Sequence, residues 1–408
     1  MEDYKTYTLE ELSIGKGSYG IAASAVPFNA SLYTYLRITD INDDGTLNKS
    51  GLMSVDEDDA EKYLLKPYDI VFARTGNSTG RSYFYDGSDG ELVYAGFLIK
   101  FSLDSTKVNP RILKYYTHSK PYYDWVQSFG TGSTRGNINA KTYANMPITL
   151  PSRDMQDKIV DVLKSLDDKI AVNNQINDNL EQQAQALFKS WFVDFEPFRD
   201  QPFVESELGM IPQGWKVIQL IDIAEISKNS INPQKQPQTI FNHYSIPAFD
   251  EGMNPEIQLG EDIKSNKFVI TNKITLFSKL NPRIKRVWYV DKLNSNSICS
   301  TEFVPYKAKD ESQSSFLYSL INSQGFYDYV MSMVNGATGS HQRFHPEESL
   351  NYNIAFNYEY VSKYCEVMSP IIYQMLDNRE ESRRLAELRD TLLPRLMSGE
   401  IKVGDVTL

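Results

Sequence analysis

The chain has 408 residues, of which 41% are hydrophobic and 12% aromatic, enough for two hydrophobic cores of ordinary domain size. Its formal net charge of -11 argues against a surface that binds nucleic acid all over, so such a role must depend on local basic patches. The two cysteines, Cys299 and Cys365, are too few and too far apart for a disulfide framework or a metal cluster. No signal-peptide pattern and no long apolar run occurs, which predicts a cytoplasmic protein without a membrane partner.

The first half of the chain has the patterns of a β-rich domain. This half begins with YKTYTLEEL (4–12), which has an aromatic residue, a lysine and then alternating apolar positions. Two β-branched and aromatic runs flank a turn-rich segment in DIVFARTGNSTGRSYFYDG (69–87), which predicts paired strands. Next comes a glycine phrase, SFGTGSTRGNI (128–138). Its amides and hydroxyls could approach a phosphate, or its glycines could only close a turn; the sequence leaves both alternatives open.

A long amphipathic helix is predicted after this half, over residues 152–195. Apolar residues recur there at heptad-like steps, and Asn173 and Asn177 take the polar slots of the same seam. Polar residues at such positions weaken a coiled coil but fix its register. The seam consists of Ile159, Leu163, Leu166, Ile170, Leu180, Leu187 and Trp191.

The second half repeats this order. WKVIQLIDI (215–223) corresponds to the first strand, NKITLFSKLNPRIKRVWYVD (272–291) to the paired strands, and VNGATGSHQRF (334–344) to the glycine phrase. The helical seam returns 205 residues further on, with Asn378 and Ser382 in the polar slots. Its apolar members are Tyr364, Met368, Ile371, Met375, Leu385, Leu392 and Leu396.

This duplication predicts an α+β fold with pseudo-two-fold symmetry. The predicted segments are a β-rich domain over 1–151, a helix over 152–195, a second β-rich domain over 196–356, and a helix with a tail over 357–408. A rod of forty helical residues is about 60 Å long, too long for one such domain to cover. We therefore expect the two helices to pair with each other as an antiparallel coiled coil.

The whole arrangement resembles the specificity subunits of type I restriction-modification systems. The resemblance includes NMPITLP (145–151) before SRDMQDKIVDVL (152–163), GMIPQGWKVIQL (209–220), and the terminal TLLPRLMSGEI (391–401). It implies two target-recognition domains that each read one part of a split double-stranded DNA sequence, with the helices setting the spacer. It also implies partners: two methyltransferase subunits that hold S-adenosylmethionine, and an ATP-dependent restriction subunit. No cofactor is expected in this chain. Because the two halves differ, the DNA target should be asymmetric.

Candidate DNA-binding residues follow from this expectation, since arginine and lysine contact phosphates and base edges. The segment 263–290 carries seven basic residues and no acidic one. The candidates are Arg74, Arg81 and Arg135 in the first half, and Lys279, Arg283, Lys285, Arg286, His341 and Arg343 in the second. The aromatic residues around 115–125 are expected to pack in the core rather than stack on bases.

Catalysis finds no support in the sequence. Neither an Asn-Pro-Pro-aromatic or Asp-Pro-Pro-aromatic motif nor a GxxxxGK[ST] phosphate loop is present, and HQRFH (341–345) lacks the glutamate of a zinc-protease helix. The sequence therefore predicts a non-catalytic recognition subunit without metal. One alternative stays open, a coiled-coil scaffold with two β-rich ligand-binding domains and no role on DNA.

Overall fold

A computed structural model describes residues 4–49, 51–129, 137–291, 293, 296–334 and 342–406. The chain divides into two compact units. Unit 1 comprises Met1–Ile170 with Arg384–Leu408, and unit 2 comprises Ala171–Arg383. None of the helices described has an apolar stretch that could cross a membrane.

In its described residues, unit 1 forms ten short strands and three short α-helices. The strands are β1 (Lys5–Thr8), β2 (Ser18–Tyr19), β3 (Ala25–Pro27), β4 (Tyr33–Leu36), β5 (Met53–Val55), β6 (Asp69–Ala73), β7 (Ser82–Tyr85), β8 (Leu92–Tyr94), β9 (Leu98–Ser102) and β10 (Pro147–Leu150). The helices are α1 (Pro110–Tyr116), α2 (Lys120–Gln127) and α3 (Ala140–Ala144). The described strands form a two-stranded sheet, β1-β10, and two four-stranded sheets, β2-β9-β6-β7 and β3-β5-β4-β8.

A long helix, α4 (Arg153–Phe192), begins in unit 1 and ends in unit 2. The part of unit 2 that the structure describes adds thirteen strands: β11 (Phe203–Ser206), β12 (Gly209–Pro212), β13 (Lys216–Gln219), β14 (Ala224–Ile226), β15 (Ser230–Ile231), β16 (Ile240–Tyr244), β17 (Glu256–Leu259), β18 (Lys267–Val269), β19 (Ile274–Ser278), β20 (Val287–Val290), β21 (Ser297–Ser300), β22 (Phe303–Ala308) and β23 (Asn353–Phe356). Its short helices are α5 (Leu220–Ile223), α6 (Ile246–Asp250), α7 (Ser314–Ile321), α8 (Gln324–Ser332) and α9 (Pro346–Ser349). The second long helix, α10 (Tyr358–Ser398), follows β23 and ends in unit 1.

The predicted duplication is confirmed in the strand pairing. β1 pairs antiparallel with β10, and β13 pairs antiparallel with β23, so each unit joins its first predicted strand to the strand before a long helix. The sheet β14-β22-β19-β20 has the order of β2-β9-β6-β7. The two predicted hairpins are the antiparallel pairs β6-β7 and β19-β20, one in each of these two sheets. Each unit also contains a parallel pair of strands, β4-β8 in unit 1 and β16-β21 in unit 2, which the sequence did not indicate.

The two long helices pack antiparallel within each unit. In unit 1 the seam residues Ile159, Leu163 and Leu166 share a buried core with Leu392 and Leu396. In unit 2 the polar slots face one another, with Asn378 hydrogen-bonded to Asn177. A side-chain cap begins α10, because Asn357 Oδ1 accepts a hydrogen bond from the backbone amide of Glu359 at 3.1 Å. The predicted α+β fold with paired long helices is confirmed.

Candidate nucleic-acid interface

The β6-β7 hairpin of unit 1 is closed by a turn that packs on helix α2. Gly80 has a φ of +90°, and a Cβ there would lie 2.5 Å from Val126 Cγ1. The Gly80 carbonyl also accepts a hydrogen bond from the buried Tyr122 hydroxyl at 2.5 Å. Only glycine fits this position, because the backbone has a positive φ there and the Val126 side chain leaves no room for a Cβ atom. The turn that carries the candidate arginines is therefore fixed in place by helix α2.

Arg74 lies at the start of this turn, beside the last residues of the glycine phrase. Its carbonyl accepts a hydrogen bond from the backbone amide of Ile138 at 2.9 Å, and Thr75 and Asn137 form a β-bridge. The guanidinium carbon lies 5.1 Å from the centroid of the Tyr19 ring, a cation–π distance. Its buried Nε has no hydrogen-bond partner among the residues described. Arg74 is thus held at the base of the glycine phrase.

Arg81, at the other end of the turn, is held by a neighbouring loop. Its Nε lies 2.5 Å from Asp43 Oδ1, and its Nη1 donates to the Ile41 carbonyl at 3.1 Å. Because Asp43 is itself exposed, this ion pair lies at the surface, where solvent weakens it.

Unit 2 repeats the relationship between turn and glycine phrase. In its β19-β20 turn, the Asn281 amide donates to the Gln342 carbonyl at 2.9 Å, and Gln342 lies near the end of the glycine phrase. The amide of Lys279 donates to the Glu302 carbonyl at 2.8 Å, as the amide of Arg74 donates to the Phe97 carbonyl at 3.1 Å. The two units therefore bring the same two segments together.

The basic side chains of the unit 2 turn have different surroundings. Arg283 is exposed, and its carbonyl accepts a hydrogen bond from Tyr327 at 3.1 Å. The Lys285 ammonium donates to the Asn322 carbonyl and lies 6.0 Å from the Tyr327 ring centroid. Burial of this ammonium lowers the pKa of Lys285.

Two of the candidate arginines make paired hydrogen bonds to carboxylates. Arg286, whose side chain is only 11% exposed, binds both oxygens of Asp250 at 2.6 and 2.8 Å. Arg343 binds both oxygens of Glu302 at 3.0 Å, and these hydrogen bonds raise its pKa. Such paired contacts fix the plane of a guanidinium. Arg286 is consequently tied to helix α6, whereas Arg343 remains at the surface.

Equivalent positions of the two turns differ in chemistry. Positions 74 and 97 of unit 1 correspond, 205 residues later, to positions 279 and 302 of unit 2. Unit 1 has arginine and phenylalanine there, and unit 2 has lysine and glutamate. Phe97 is 58% exposed, which is unusual for so large an apolar side chain. The two surfaces therefore offer different contacts to a ligand.

Sequence reasoning missed four residues of these surfaces: Tyr19, Phe97, Asp250 and Glu302. The duplication was a usable signal for Phe97 and Glu302. The two residues are 205 positions apart, and they lie at the same distance along the chain from the candidate cations Arg74 and Lys279. No local pattern indicates the remaining two, which approach their arginines only through the fold.

Two predicted residues, Arg135 and His341, lie outside the described residues, as do most of the two glycine phrases, 130–136 and 335–341.

The prediction that the aromatic residues around 115–125 pack in the core concerns residues that the structure describes. Tyr115, Tyr116 and Tyr122 are buried, which confirms core packing for these three, while Tyr123 is 43% exposed.

The described part of the chain contains no group of three or more His, Cys, Asp or Glu side chains that could hold a metal ion.

The two cysteines, Cys299 and Cys365, are both buried and form no disulfide bond. Burial raises the pKa of both thiols, which disfavours the reactive thiolate.

Comparison with known proteins places these surfaces in a family context. A family model described as the type I restriction modification DNA specificity domain matches residues 1–182. The type I restriction enzyme MjaIX specificity subunit of Methanocaldococcus jannaschii is 26% identical over 306 residues, which cover 72% of this chain and 69% of that protein. The type I restriction enzyme HindI specificity subunit of Haemophilus influenzae is 24% identical over an alignment of 478 positions, covering 98% of this chain and 100% of that protein.

Among solved structures, the S subunit of a type I restriction-modification system from M. genitalium shares the fold. The TM-score is 0.55 at 14% identity, with 97% of this chain and 96% of that chain covered. The predicted resemblance to specificity subunits is confirmed by these relatives. They fit a role in DNA specificity and do not fit the scaffold alternative.

Proposed function

From its likeness over nearly the whole chain to type I restriction enzyme specificity subunits, we propose that this protein selects the DNA target of a type I restriction-modification complex. Units 1 and 2 each read one part of a bipartite, asymmetric duplex sequence. The long helices set the unread spacer and bind two methyltransferase subunits, which carry S-adenosylmethionine. An ATP-dependent restriction subunit joins the same cytoplasmic complex, and this chain itself is not catalytic.

One observation carries the proposal: both units bring a basic β-hairpin turn against the end of a glycine phrase. The Arg74 carbonyl binds the amide of Ile138, and the Asn281 amide binds the Gln342 carbonyl. Exposed cations on a rigid turn can neutralise phosphates and reach base edges in the major groove. The candidate residues Arg74, Arg81, Arg135, Lys279, Arg283, Lys285, Arg286, His341 and Arg343 are proposed for these two surfaces.

The two surfaces support different base contacts, and so an asymmetric target. In unit 1, Phe97 suits the methyl group of thymine, while Arg74 suits the acceptors of guanine. In unit 2, Glu302 suits the amino group of cytosine, and Arg343 beside it suits guanine. An identical pair of surfaces would instead favour a palindrome.

Binding to duplex libraries at several salt concentrations tests the proposal. The chain assembled with its methyltransferase subunits should select one bipartite sequence, and log K should fall linearly with log salt concentration. Binding without sequence preference, or without dependence on salt, would contradict a specificity subunit. The scaffold alternative predicts no binding to DNA at any salt concentration.

The proposed spacer role has its own test. Four residues inserted after Asn177 in α4, and four more in α10 beside its partner Asn378, lengthen both helices by about 6 Å. The half-sites should stay unchanged while the preferred spacer grows by one or two base pairs, because B-DNA rises about 3.4 Å per base pair. A folded double-insertion protein that keeps its original spacer would show that the helices do not set it.

A further inference from the structure

The basic hairpin turn has the same length in both units and is closed in the same way. It comprises residues 74–81 between β6 and β7 in unit 1, and residues 279–286 between β19 and β20 in unit 2. The last residue of each turn is an arginine, Arg81 or Arg286. Its carbonyl accepts a hydrogen bond from the amide that ends the preceding strand, at 2.8 Å in unit 1 and 3.0 Å in unit 2. The two arginines are therefore equivalent residues.

Each of these arginines also binds an aspartate that follows a strand of a different sheet. Arg81 pairs with Asp43, shortly after the end of β4, and Arg286 pairs with Asp250, at the end of helix α6 and shortly after β16. Strands β4 and β16 are equivalent, because each has a parallel partner, β8 or β21. In both units the pair thus joins the hairpin turn to the segment that leaves the parallel strand.

This contact is shared although other parts of the two surfaces differ. The segment that carries the aspartate is a loop in unit 1 and a helix in unit 2, and position 97 is phenylalanine where position 302 is glutamate. A pair that both units keep does not account for a difference between the bases that they read. It supports a role that is the same on any DNA sequence.

The two guanidinium groups are also turned toward the protein. Arg286 donates from Nε and Nη2 to both oxygens of Asp250, and its side chain is nearly buried. Arg81 contacts Asp43 through Nε and the Ile41 carbonyl through Nη1. These contacts fix the plane of each guanidinium and use donors that a base or a phosphate would need.

We propose that Arg81 and Arg286 are positioning residues, which hold the hairpin turn through their aspartates while other side chains of the turn contact the DNA. This inference rests on the proposed function, which makes the turn part of the DNA-reading surface. The start of each turn is already held, because the amide of Arg74 or Lys279 donates to the residue before β9 or β22. The arginine–aspartate pair supplies the restraint at the other end, and side chains that read a ligand need such supporting contacts.

Simple electrostatics predicts the opposite effect for the aspartates. A carboxylate on a DNA-binding surface repels phosphates, so its removal should strengthen binding to every sequence. If the aspartate positions the turn, its removal should instead weaken binding to the correct sequence. The sign of the change therefore identifies the role of the pair.

Variants of the full chain, assembled with its methyltransferase subunits, test the two pairs. Asp43→Asn and Asp250→Asn remove the charge that holds each arginine while keeping nearly the same side-chain volume. Asp44→Asn and Glu251→Gln are the matched controls, because each removes the same charge from the next residue of the chain, which is also exposed. Binding is measured on duplexes that each carry one changed base pair, and urea unfolding of the same variants measures their stability.

Asp43→Asn should reduce the preference for the correct base pair by about tenfold at several positions of one half-site, and Asp250→Asn should do so in the other half-site. This size corresponds to the loss of a hydrogen bond between charged groups. Arg286→Lys keeps the positive charge but not the paired contact, and it should behave as Asp250→Asn does. Both control variants should discriminate as the wild type does. Asp43 is 85% exposed, so Asp43→Asn should also fold with nearly wild-type stability.

Each of three other results would overturn the proposal. Stronger binding of Asp43→Asn and Asp250→Asn to all duplexes would show that the aspartates only mask the arginines. Loss of discrimination at a single base pair would show that the arginine reads that base pair itself. Lower stability with unchanged discrimination would make the pairs structural contacts only. If the wild-type complex shows no sequence preference, the proposed function itself fails.

Discussion

Asn177 and Asn378 face each other across the two long helices of unit 2, where the Asn378 amide group donates to Asn177 Oδ1 at 2.9 Å. Both side chains are buried. Asn177 also donates to the Met375 carbonyl at 3.1 Å, and Asn173 donates to Glu381 Oε2 at 2.7 Å. The polar slots of the seam thus bind each other, and only one alignment of the helices satisfies them, which fixes the register.

Replacing one of these asparagines should cost more than replacing both. Asn378→Leu leaves Asn177 Oδ1 buried without its donor, at a cost of roughly 1 to 3 kcal/mol in the free energy of unfolding. The double variant Asn177→Leu with Asn378→Leu should recover most of that loss, since two apolar side chains replace two polar ones. Urea unfolding of both variants measures the difference. A double variant less stable than the single one would contradict this account of the seam.

A second contact between the long helices should make the stability of unit 1 depend on pH. Asp167 on α4 binds Arg389 on α10 at 2.9 Å and Lys114 on α1 at 2.7 Å, and it accepts a hydrogen bond from Tyr115 at 3.0 Å. Arg389 also pairs with Asp390 at 2.9 Å. Burial alone would raise the pKa of Asp167, but Lys114 and Arg389 outweigh it and lower the pKa.

Because the folded pKa of Asp167 lies below its unfolded value, its contribution to stability is present above about pH 4 and is lost as the pH falls below that value. Asp167→Asn should therefore destabilise the protein at pH 7 by roughly 1 to 3 kcal/mol, with a smaller difference from wild type at pH 3. The neighbouring Asp168→Asn is the control, because Asp168 pairs with Lys164 at the exposed surface and should matter little at either pH. An Asp167→Asn effect of equal size at both pH values would refute the electrostatic explanation.

Arg283 and Arg286, three residues apart in one turn, should behave differently when each is replaced by alanine. Arg283 is exposed, so Arg283→Ala should weaken recognition of one half-site by roughly 1 to 3 kcal/mol if it contacts a base. Arg286→Ala breaks two hydrogen bonds to Asp250 and should also lower the free energy of unfolding. Binding to matched and mismatched duplexes, with urea unfolding, separates the two effects. Uniform weakening on all sequences by Arg283→Ala would assign it to a phosphate instead.

Phe97 offers a test at the level of a single methyl group. Once the half-site read by unit 1 is known, each of its thymines can be replaced by deoxyuridine, which lacks the 5-methyl group. One such replacement should weaken binding of the wild type, and Phe97→Ala should remove that difference, because the apolar partner of the methyl group is gone. Ile14→Ala, at another exposed apolar residue of unit 1, is the control. If Phe97→Ala still distinguishes thymine from uracil, Phe97 does not read the methyl group.

The sequence predicted those parts of the fold that depend on local periodicity and on the repeat. The heptad-like seam indicated both long helices and the role of Asn177 and Asn378, and the 205-residue offset paired the hairpins of the two halves. Parallel pairs such as β4-β8 escaped prediction, because their partners are distant in the chain and no turn signal connects them.

The recognition surfaces were predicted only in part, for the same reason. A basic segment is visible in the sequence, but its acidic partners are not: Asp250 lies 36 residues from Arg286, and Glu302 lies 41 residues from Arg343. Only the folded chain shows which cations are already bound by carboxylates.

The most direct test of the central claim is a map of methylated bases across the genome in cells with and without this protein. The account predicts that one bipartite, asymmetric motif with a fixed unread spacer is methylated only when the chain is present, and that purified chain with S-adenosylmethionine alone methylates nothing. The same set of methylated motifs in both cells, or methyl transfer by the isolated chain, would contradict its role as the specificity subunit.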